Sequence, residues 1–431
     1  MGVTETRPVP RITSFLAAVI AFSAVNAPTV LYAAWREQLG FPATVQTLVY
    51  AVYVAGLIPG LILAGRWLRR LSPRTLMTWA VAVSVPASLA LAVSVGPVTL
   101  IVGRAVQGLA LGVIMTASSA ALYQAAPPRP RPFTALLVTL TAILGACLGP
   151  LAAGLLADAT GGTSAPMVGA AIALVAVLVL LIVHGATPTA SRWPAPEGPG
   201  RNTTASGRAA VTDGLAGSAV ESPARATTPE AGEAPSEGAT AEPKHADPRP
   251  RSHLMISLTA ATSWSLIGLY QSVGPGLIGA ALEVESLTAL GGIVAIVLGV
   301  AGLVQVLSRD VAYPVARRLG HVFVILGIAG FAAMLVTGQV WLALIASVGA
   351  GVGHGFTYLS ATQEMGELVR RNPARAGSLM SRYFAIAYLC MGAFAVGLGI
   401  VGDLWALVPA ALVLLTALAA GCVAMLFSRN C

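Results

Sequence analysis

Few side chains in this 431-residue sequence are placed to do chemistry. His354 is the ionisable group nearest the middle of a long apolar run. An imidazole titrates near neutral pH, so it can gain and lose a proton without special tuning. Tyr358 follows one turn later, in a stretch punctuated by Gly349, Gly351, Gly353 and Gly355. Arg104 stands inside another apolar run, where a guanidinium is costly unless it faces protein or water. Gln107, at i+3, can share its hydrogen bonding; the alternative is an arginine reaching out to the membrane interface. Trp264 and Gln271, seven apart, share one helical stripe. Ser23 and Asn26 lie three apart with Pro28 nearby. Such groups hydrogen-bond or stack on a small molecule; the plainer role for each is a helix–helix hydrogen bond or an interfacial aromatic.

The chemistry excluded is equally informative. Cys147, Cys390, Cys422 and Cys431 are scattered without a CxxC or other metal spacing, so free thiols are expected, with no metal and no cofactor. There is no phosphate-cradling loop, hence no ATP hydrolysis. A membrane-embedded enzyme needs a clustered nucleophile, metal ligands or an acid/base pair, and His354 has no second His, Cys pair or carboxylate beside it in sequence. No Asp or Glu falls near the centre of an apolar run: Asp158 stands at one end of its run, Glu364 and Glu367 at the end of another.

The elements that position these residues follow from composition. Hydrophobic residues make up 56% of the chain and charged residues only 10%, with a mean hydropathy of +0.80. A soluble chain carries about 25% charged residues, so a soluble enzyme, a nucleic-acid-binding domain and a disulfide scaffold are excluded. The net charge of +8 is explained by short basic connectors between apolar runs, where membrane topology puts them. A spanning helix needs about 20 apolar residues, and twelve such runs are found, at about 12–34, 43–64, 75–95, 98–122, 133–157, 164–184, 254–280, 287–308, 321–338, 340–363, 377–401 and 404–427. The N-terminal run is too long for a signal-peptide core and reads as the first span. Residues 186–252 differ: they are rich in Pro, Gly, Ser, Thr, Ala and Glu and poor in large aliphatics, so a disordered linker is expected between residues 1–185 and 253–431.

Orientation comes from the connectors. Arg66, Arg69, Arg70, Arg74, Arg129, Arg131, Arg309, Arg317, Arg318, Arg370, Arg371 and Arg375 fall on one side. The other side holds Arg36 with Glu37, Asp158, Glu283, Glu285 and Asp403. The basic side is expected to be cytoplasmic, with both termini and the linker. The six-plus-six arrangement suggests duplication: a shift of 248 residues lays Arg70-Leu71-Ser72 on Arg318-Leu319-Gly320, Gly149 on Gly397 and Gly154 on Gly402.

Three motifs in their spans resemble the major facilitator superfamily, over both halves. Gly65-Arg66-Trp67-Leu68-Arg69-Arg70-Leu71-Ser72-Pro73-Arg74 stands where that superfamily has a G-x-x-x-D-R-x-G-R-R loop. A glycine there permits close helix approach and the cations pin the loop; here Arg69 takes the acidic position, Ser72 the second glycine and Pro73 an arginine. Arg104-Ala105-Val106-Gln107-Gly108 resembles an R-x-x-Q-G pattern whose arginine is linked to ion coupling. Gly145-Ala146-Cys147-Leu148-Gly149-Pro150-Leu151-Ala152-Ala153-Gly154 resembles G-x-x-x-G-P-x-x-G-G, typical of exporters that work as drug or metabolite antiporters, with Ala153 in place of one glycine.

The resemblance implies an all-α integral membrane protein of twelve transmembrane helices, in two six-helix pseudo-repeat bundles around a central cavity. Spans 1, 4, 7 and 10 line that cavity in the superfamily, which makes Asn26, Trp264, Gln271 and Tyr358 the expected substrate contacts and Arg104, Gln107 and His354 the expected coupling residues. Gly65, Arg70, Arg74, Gly145, Gly149, Pro150 and Gly154 carry the conformational motifs. The function implied is export of a small amphipathic or apolar drug or secondary metabolite by alternating access, coupled to protons, without nucleic acid. An importer of the same fold and a non-transporting sensor or scaffold are the alternatives. Arg greatly outnumbers Lys (Lys244 is the only lysine), with abundant Ala, Gly and Pro, which points to a GC-rich bacterial genome. A monomer in the bacterial inner or plasma membrane is expected.

Overall fold

The computed structural model describes residues 11–125, 131–183 and 252–427. The linker expected at 186–252 lies almost wholly outside the described residues, as do Arg129 and Cys431. The described chain is helical throughout. Twelve long helices follow in order: α1 (Arg11–Asn26), α2 (Ala43–Trp67), α3 (Pro73–Ala92), α4 (Pro97–Gln124), α5 (Arg131–Thr160), α6 (Ser164–Val183), α7 (His253–Ser272), α8 (Leu287–Leu307), α9 (Tyr313–Thr337), α10 (Val340–Arg371), α11 (Ala376–Trp405) and α12 (Leu407–Phe427). Eleven stretches cross a membrane by length and composition, and α7 with the short helix that follows it makes the twelfth.

Local chemistry sets several starts. Ser72, Ser252 and Ser286 each accept a backbone N–H in the first turn of the helix they precede, and Pro73 preorganises the first turn of α3. Aliphatic residues such as Ile172, Val179 and Leu326 stay exposed on the bundle exterior, as a hydrocarbon solvent allows.

Four boundaries depart from expectation. The first run does not continue to residue 34 as one helix: α1 ends at Asn26, a 3-10 turn covers Ala27–Val30, and a short helix Tyr32–Leu39 follows. The seventh run breaks by 61° between α7 and Gly274–Leu282, with Pro275 in the first turn of the second piece. Proline fixes φ and has no N–H, so it starts a new helix more readily than it continues an old one. Helices α9 and α10 run well past the apolar windows. Arg317 and Glu364, the charges that ended those windows, are buried and face each other at 3.9 Å.

The two halves pack alike. In the first, α2 and α3 pack on α4, α3 on α6, and α1 on α4 and α5. In the second, α8 and α9 pack on α10, α9 on α12, and α7 on α10 and α11. Between halves the main seams are α5 against α8 and α11 against α2, which are the same contact made twice. Each half therefore offers two helices to the other and leaves a space between the remaining inner faces.

Candidate substrate cavity and its closure

That space is the candidate site. Because the helices alternate, one face of the bundle carries Arg66, Arg69, Arg70, Arg370 and Arg371 (the basic face) and the other carries Arg36, Asp158, Glu283 and Asp403 (the far face). The cavity runs from Asn26 and Gln271 towards the basic face, where Leu61, Ser118, Val138 and Gln305 line it. Near that face α4 and α5 of one half are not packed against α10 and α11 of the other.

Its two walls differ. The first-half wall is mostly aliphatic, with Leu57, Leu111, Met115, Ala142 and Ala146, and carries Phe22 and Tyr53 beside Asn26. The hydroxyls of Ser118, Ser119 and Thr141 on that wall already donate to carbonyls of their own helices, which mutes their polarity. The second-half wall is aromatic and centred on Trp264. Its ring meets His354 at 5.1 Å and Tyr358 at 5.7 Å edge-on, and Tyr388 at 5.1 Å tilted. Phe384 stacks on Tyr388. Trp264 Nε1 and His354 Nδ1 are buried without a hydrogen-bond partner. Buried polar atoms are rarely left so, and both belong to residues that line the cavity. Among the described residues no Asp, Glu, Lys or Arg lines it.

The structure thus brings Asn26, Trp264, Gln271, His354 and Tyr358 to one cavity. Arg104 and Gln107 are not in its lining. Arg104 is 2% exposed and lies against Tyr53, whose ring borders the cavity; Cζ is 4.3 Å from that ring's centre and 5.8 Å from that of Tyr32. Its Nη1 donates to Val25 O at 2.7 Å and to Gln107 Oε1 at 2.9 Å, and Gln107 passes the chain on to Ser88 at 3.1 Å. Two carbonyl-type oxygens and two aromatic faces hold the cation, with no carboxylate paired to it among the described residues.

The conformational motifs separate by role. Gly149 faces α1: a Cβ there meets Ser23 O, with Ala27 N and Asn26 Cβ at 3.1 Å. Gly145 likewise faces Phe22 and Val19 on α1, whereas Gly154 lies against Leu287 at the start of α8. Pro150 lies inside the continuous helix α5, and its carbonyl packs on Gly291 of α8. Arg74 donates to Leu181 O at 2.9 Å and Ile182 O at 3.2 Å, tying down the end of α6. Arg70 is exposed. The close approach expected at Gly65 is absent, since a Cβ there meets no atom within 4 Å.

Hydrogen bonds between the halves cluster between the cavity and the far face. Gln271 Nε2 donates to Asn26 Oδ1 at 3.3 Å, Tyr50 donates to Gln271 Oε1 at 3.2 Å, and Gln46 donates to Ser272 O at 3.1 Å. Further out, Asp158 and Asp403 each accept backbone N–H groups from the opposite half. The protein is therefore closed at its far face and reached from its basic face.

Sequence reasoning missed three parts of this arrangement. Tyr50 and Gln46 lie in a helix outside the four expected to line the cavity. Glu364 falls on the buried stripe of α10 with Thr357 and Ser360, a periodicity that hydropathy averaging hides. The two far-face aspartates read in sequence as span-end charges, with Asp158 or Glu364 as the alternative proton carrier to His354, and their bonds to the opposite half leave no local signal.

A sequence profile of the Major Facilitator Superfamily matches residues 14–395. The chain belongs to this superfamily. No curated protein is a significant match by sequence. Among solved structures, a bacterial homolog of the human lysosomal transporter Spinster, inward-facing and occupied, superposes with a TM-score of 0.63 at 15% identity, covering 96% of this chain and 93% of that one. The nucleoside transporter NupG superposes with a TM-score of 0.66 at 13% identity, covering 97% and 99%. At these identities the likeness is one of fold. This superfamily member is a multi-pass membrane protein with the two-bundle transporter architecture.

Proposed function

We propose that the protein exports a small, uncharged, amphipathic or apolar molecule by alternating access, driven by protons. The observation that carries this reading is the cavity between the halves: mostly aliphatic on one wall, aromatic on the other, with two unpartnered polar atoms in its aromatic wall and no formal charge. A charged cargo entering such a site loses its hydration without gaining a counter-charge. A flat, neutral one gains stacking on Trp264 and Tyr388. The exporter direction is supported by the Gly145–Gly154 pattern, whose glycines seat α5 on both α1 and α8. His354 exchanges the proton, and Arg104 with Gln107 tunes the far-face end of the cavity through Tyr53. The basic face is cytoplasmic in the bacterial plasma membrane, residues 186–252 tether the halves there, and the protein acts as a monomer.

The test uses everted membrane vesicles containing the protein and N-phenyl-1-naphthylamine, an uncharged aromatic fluorophore. Respiration should drive its accumulation inside, and a protonophore should abolish it. Accumulation in right-side-out vesicles instead establishes import. Preference for a lipophilic cation of matched size overturns the neutral-cargo assignment.

A further inference from the structure

The two seams that close the far face are built on the same five-residue device, a glycine followed four positions later by an aspartate. Gly154-Leu155-Leu156-Ala157-Asp158 ends α5 and Gly399-Ile400-Val401-Gly402-Asp403 nears the end of α11. The glycines, like the aspartates, stand 245 residues apart, so at this seam the repeat runs three residues short of the 248 offset that aligns the basic connectors. Each glycine lets a foreign helix approach: a Cβ on Gly154 collides with Leu287 O of α8, and one on Gly399 comes within 2.8 Å of Ala43 O of α2. One turn on, each aspartate accepts the first N–H groups of that same foreign helix. Asp158 Oδ1 takes Leu287 N at 2.9 Å, while its Oδ2 takes Thr288 N at 3.0 Å and Ser286 Oγ at 2.7 Å. Asp403 Oδ1 takes Ala43 N at 2.7 Å and its Oδ2 takes Thr44 N at 2.8 Å.

An ordinary N-cap comes from the residue that precedes the helix. Here α2 is preceded by Pro42, which makes no side-chain cap, and the cap is supplied from the other half of the molecule. In the second seam Ser286 caps α8 itself through Ala289 N and donates its hydroxyl to Asp158, so local and foreign caps share one hydroxyl. A carboxylate at a helix N-terminus is favoured by the unsatisfied N–H groups and the dipole there. Separating the halves at the far face strips both helices of these caps.

We infer that Asp158 and Asp403 are a matched pair of electrostatic latches, and that the energy of their two foreign caps sets the balance between far-face-closed and far-face-open forms. The inference rests on the alternating-access reading. It adds that two carboxylates outside the cavity, one per repeat, fix which side is open at rest.

The test measures distances between spin labels in the purified full-length protein, with no cargo and no ion gradient, so it does not depend on transport. One label pair sits across the far face at Thr160 and Glu285, and another across the basic face at Arg69 and Arg371. Losing one charge-assisted cap should change the equilibrium by about tenfold and losing both by about a hundredfold. Asp158→Asn and Asp403→Asn should each raise the far-face-open population, and the double variant should make it dominant while the basic-face distance shortens. Glu37→Gln, an exposed carboxylate on the far face outside both seams, should leave both distributions unchanged. Wild-type distances in a monodisperse double variant overturn the inference. So does a far-face distance that only broadens while the basic-face distance stays put, because that is local fraying. Failure of the alternating-access reading looks different: cross-linking the far face shut then leaves transport intact.

Discussion

Arg104 is a cation with nowhere to discharge. Its Nη1 alone donates to both Val25 O and Gln107 Oε1, while the guanidinium carbon lies 4.3 Å from the Tyr53 ring centre and 5.8 Å from that of Tyr32. Lysine keeps the charge and has the donors for both oxygens, but it lacks the planar face that lies against Tyr53. Arg104→Ala should therefore abolish transport in proteoliposomes while the protein still inserts and elutes as a single species, and Arg104→Lys should keep at most part of it. Normal transport by the alanine variant makes Arg104 a structural anchor only. His354 is a different case, being in the cavity wall against Trp264 and Tyr358. His354→Gln keeps hydrogen bonding but cannot titrate, so gradient-driven export should be lost while gradient-independent counterflow survives. Unchanged gradient-driven export removes His354 from the proton path. The Arg104–Gln107 pair was legible as an i, i+3 spacing. Val25 O and Tyr53 were not, because the partners of a buried side chain come from other helices and leave no local trace.

Among the elements, α5 carries the greatest burden, since it touches α1 on one side and α8 on the other. Gly149 faces the end of α1 and the turn after it, where an added Cβ would meet Ser23 O and Ala27 N. Gly149→Leu forces a branched side chain into backbone, and overpacking of this kind costs about 1–3 kcal/mol. The expected result is a lower thermal unfolding midpoint in detergent, with Gly149→Ala intermediate; an unchanged midpoint shows that α1 moves aside freely. The existence of all twelve spans was readable from hydropathy, but the shapes of two were not. The polar pair Gln271-Ser272 is too short to lower a window average, so hydropathy does not register the 61° bend. Conversely, the windows of α9 and α10 ended at charges that the folded chain buries. Arg317 and Glu364 face each other, and two charges that meet across neighbouring helices are tolerated where one alone is not.

At the scale of the whole molecule, the far face and the basic face are held by opposite kinds of force. The far face closes through short hydrogen bonds to backbone, across contacts too close for salt to screen. The basic face presents Arg66, Arg69 and Arg70 from one half and Arg370 and Arg371 from the other, all exposed. In the loop between α2 and α3 an arginine, Arg69, stands where the superfamily pattern has an acid. Glu367 already bridges Arg370 and Arg371 within its own half. Bringing the two halves together on this side compresses like charges, so the basic rim acts as an ionic spring that pushes itself open. A spring of that kind softens with salt: the screening length falls from about 10 Å at 0.1 M to about 3 Å at 1 M. Raising ionic strength should thus drive the population towards basic-face-closed molecules, read from a label pair at Trp67 and Asn372 that leaves the five arginines in place, and an insensitive or lengthening distance excludes the spring. The conformation in which this transporter waits is then partly a property of the solution that bathes its basic rim, and two membranes with different salt on that side would hold the same chain at different points of its cycle.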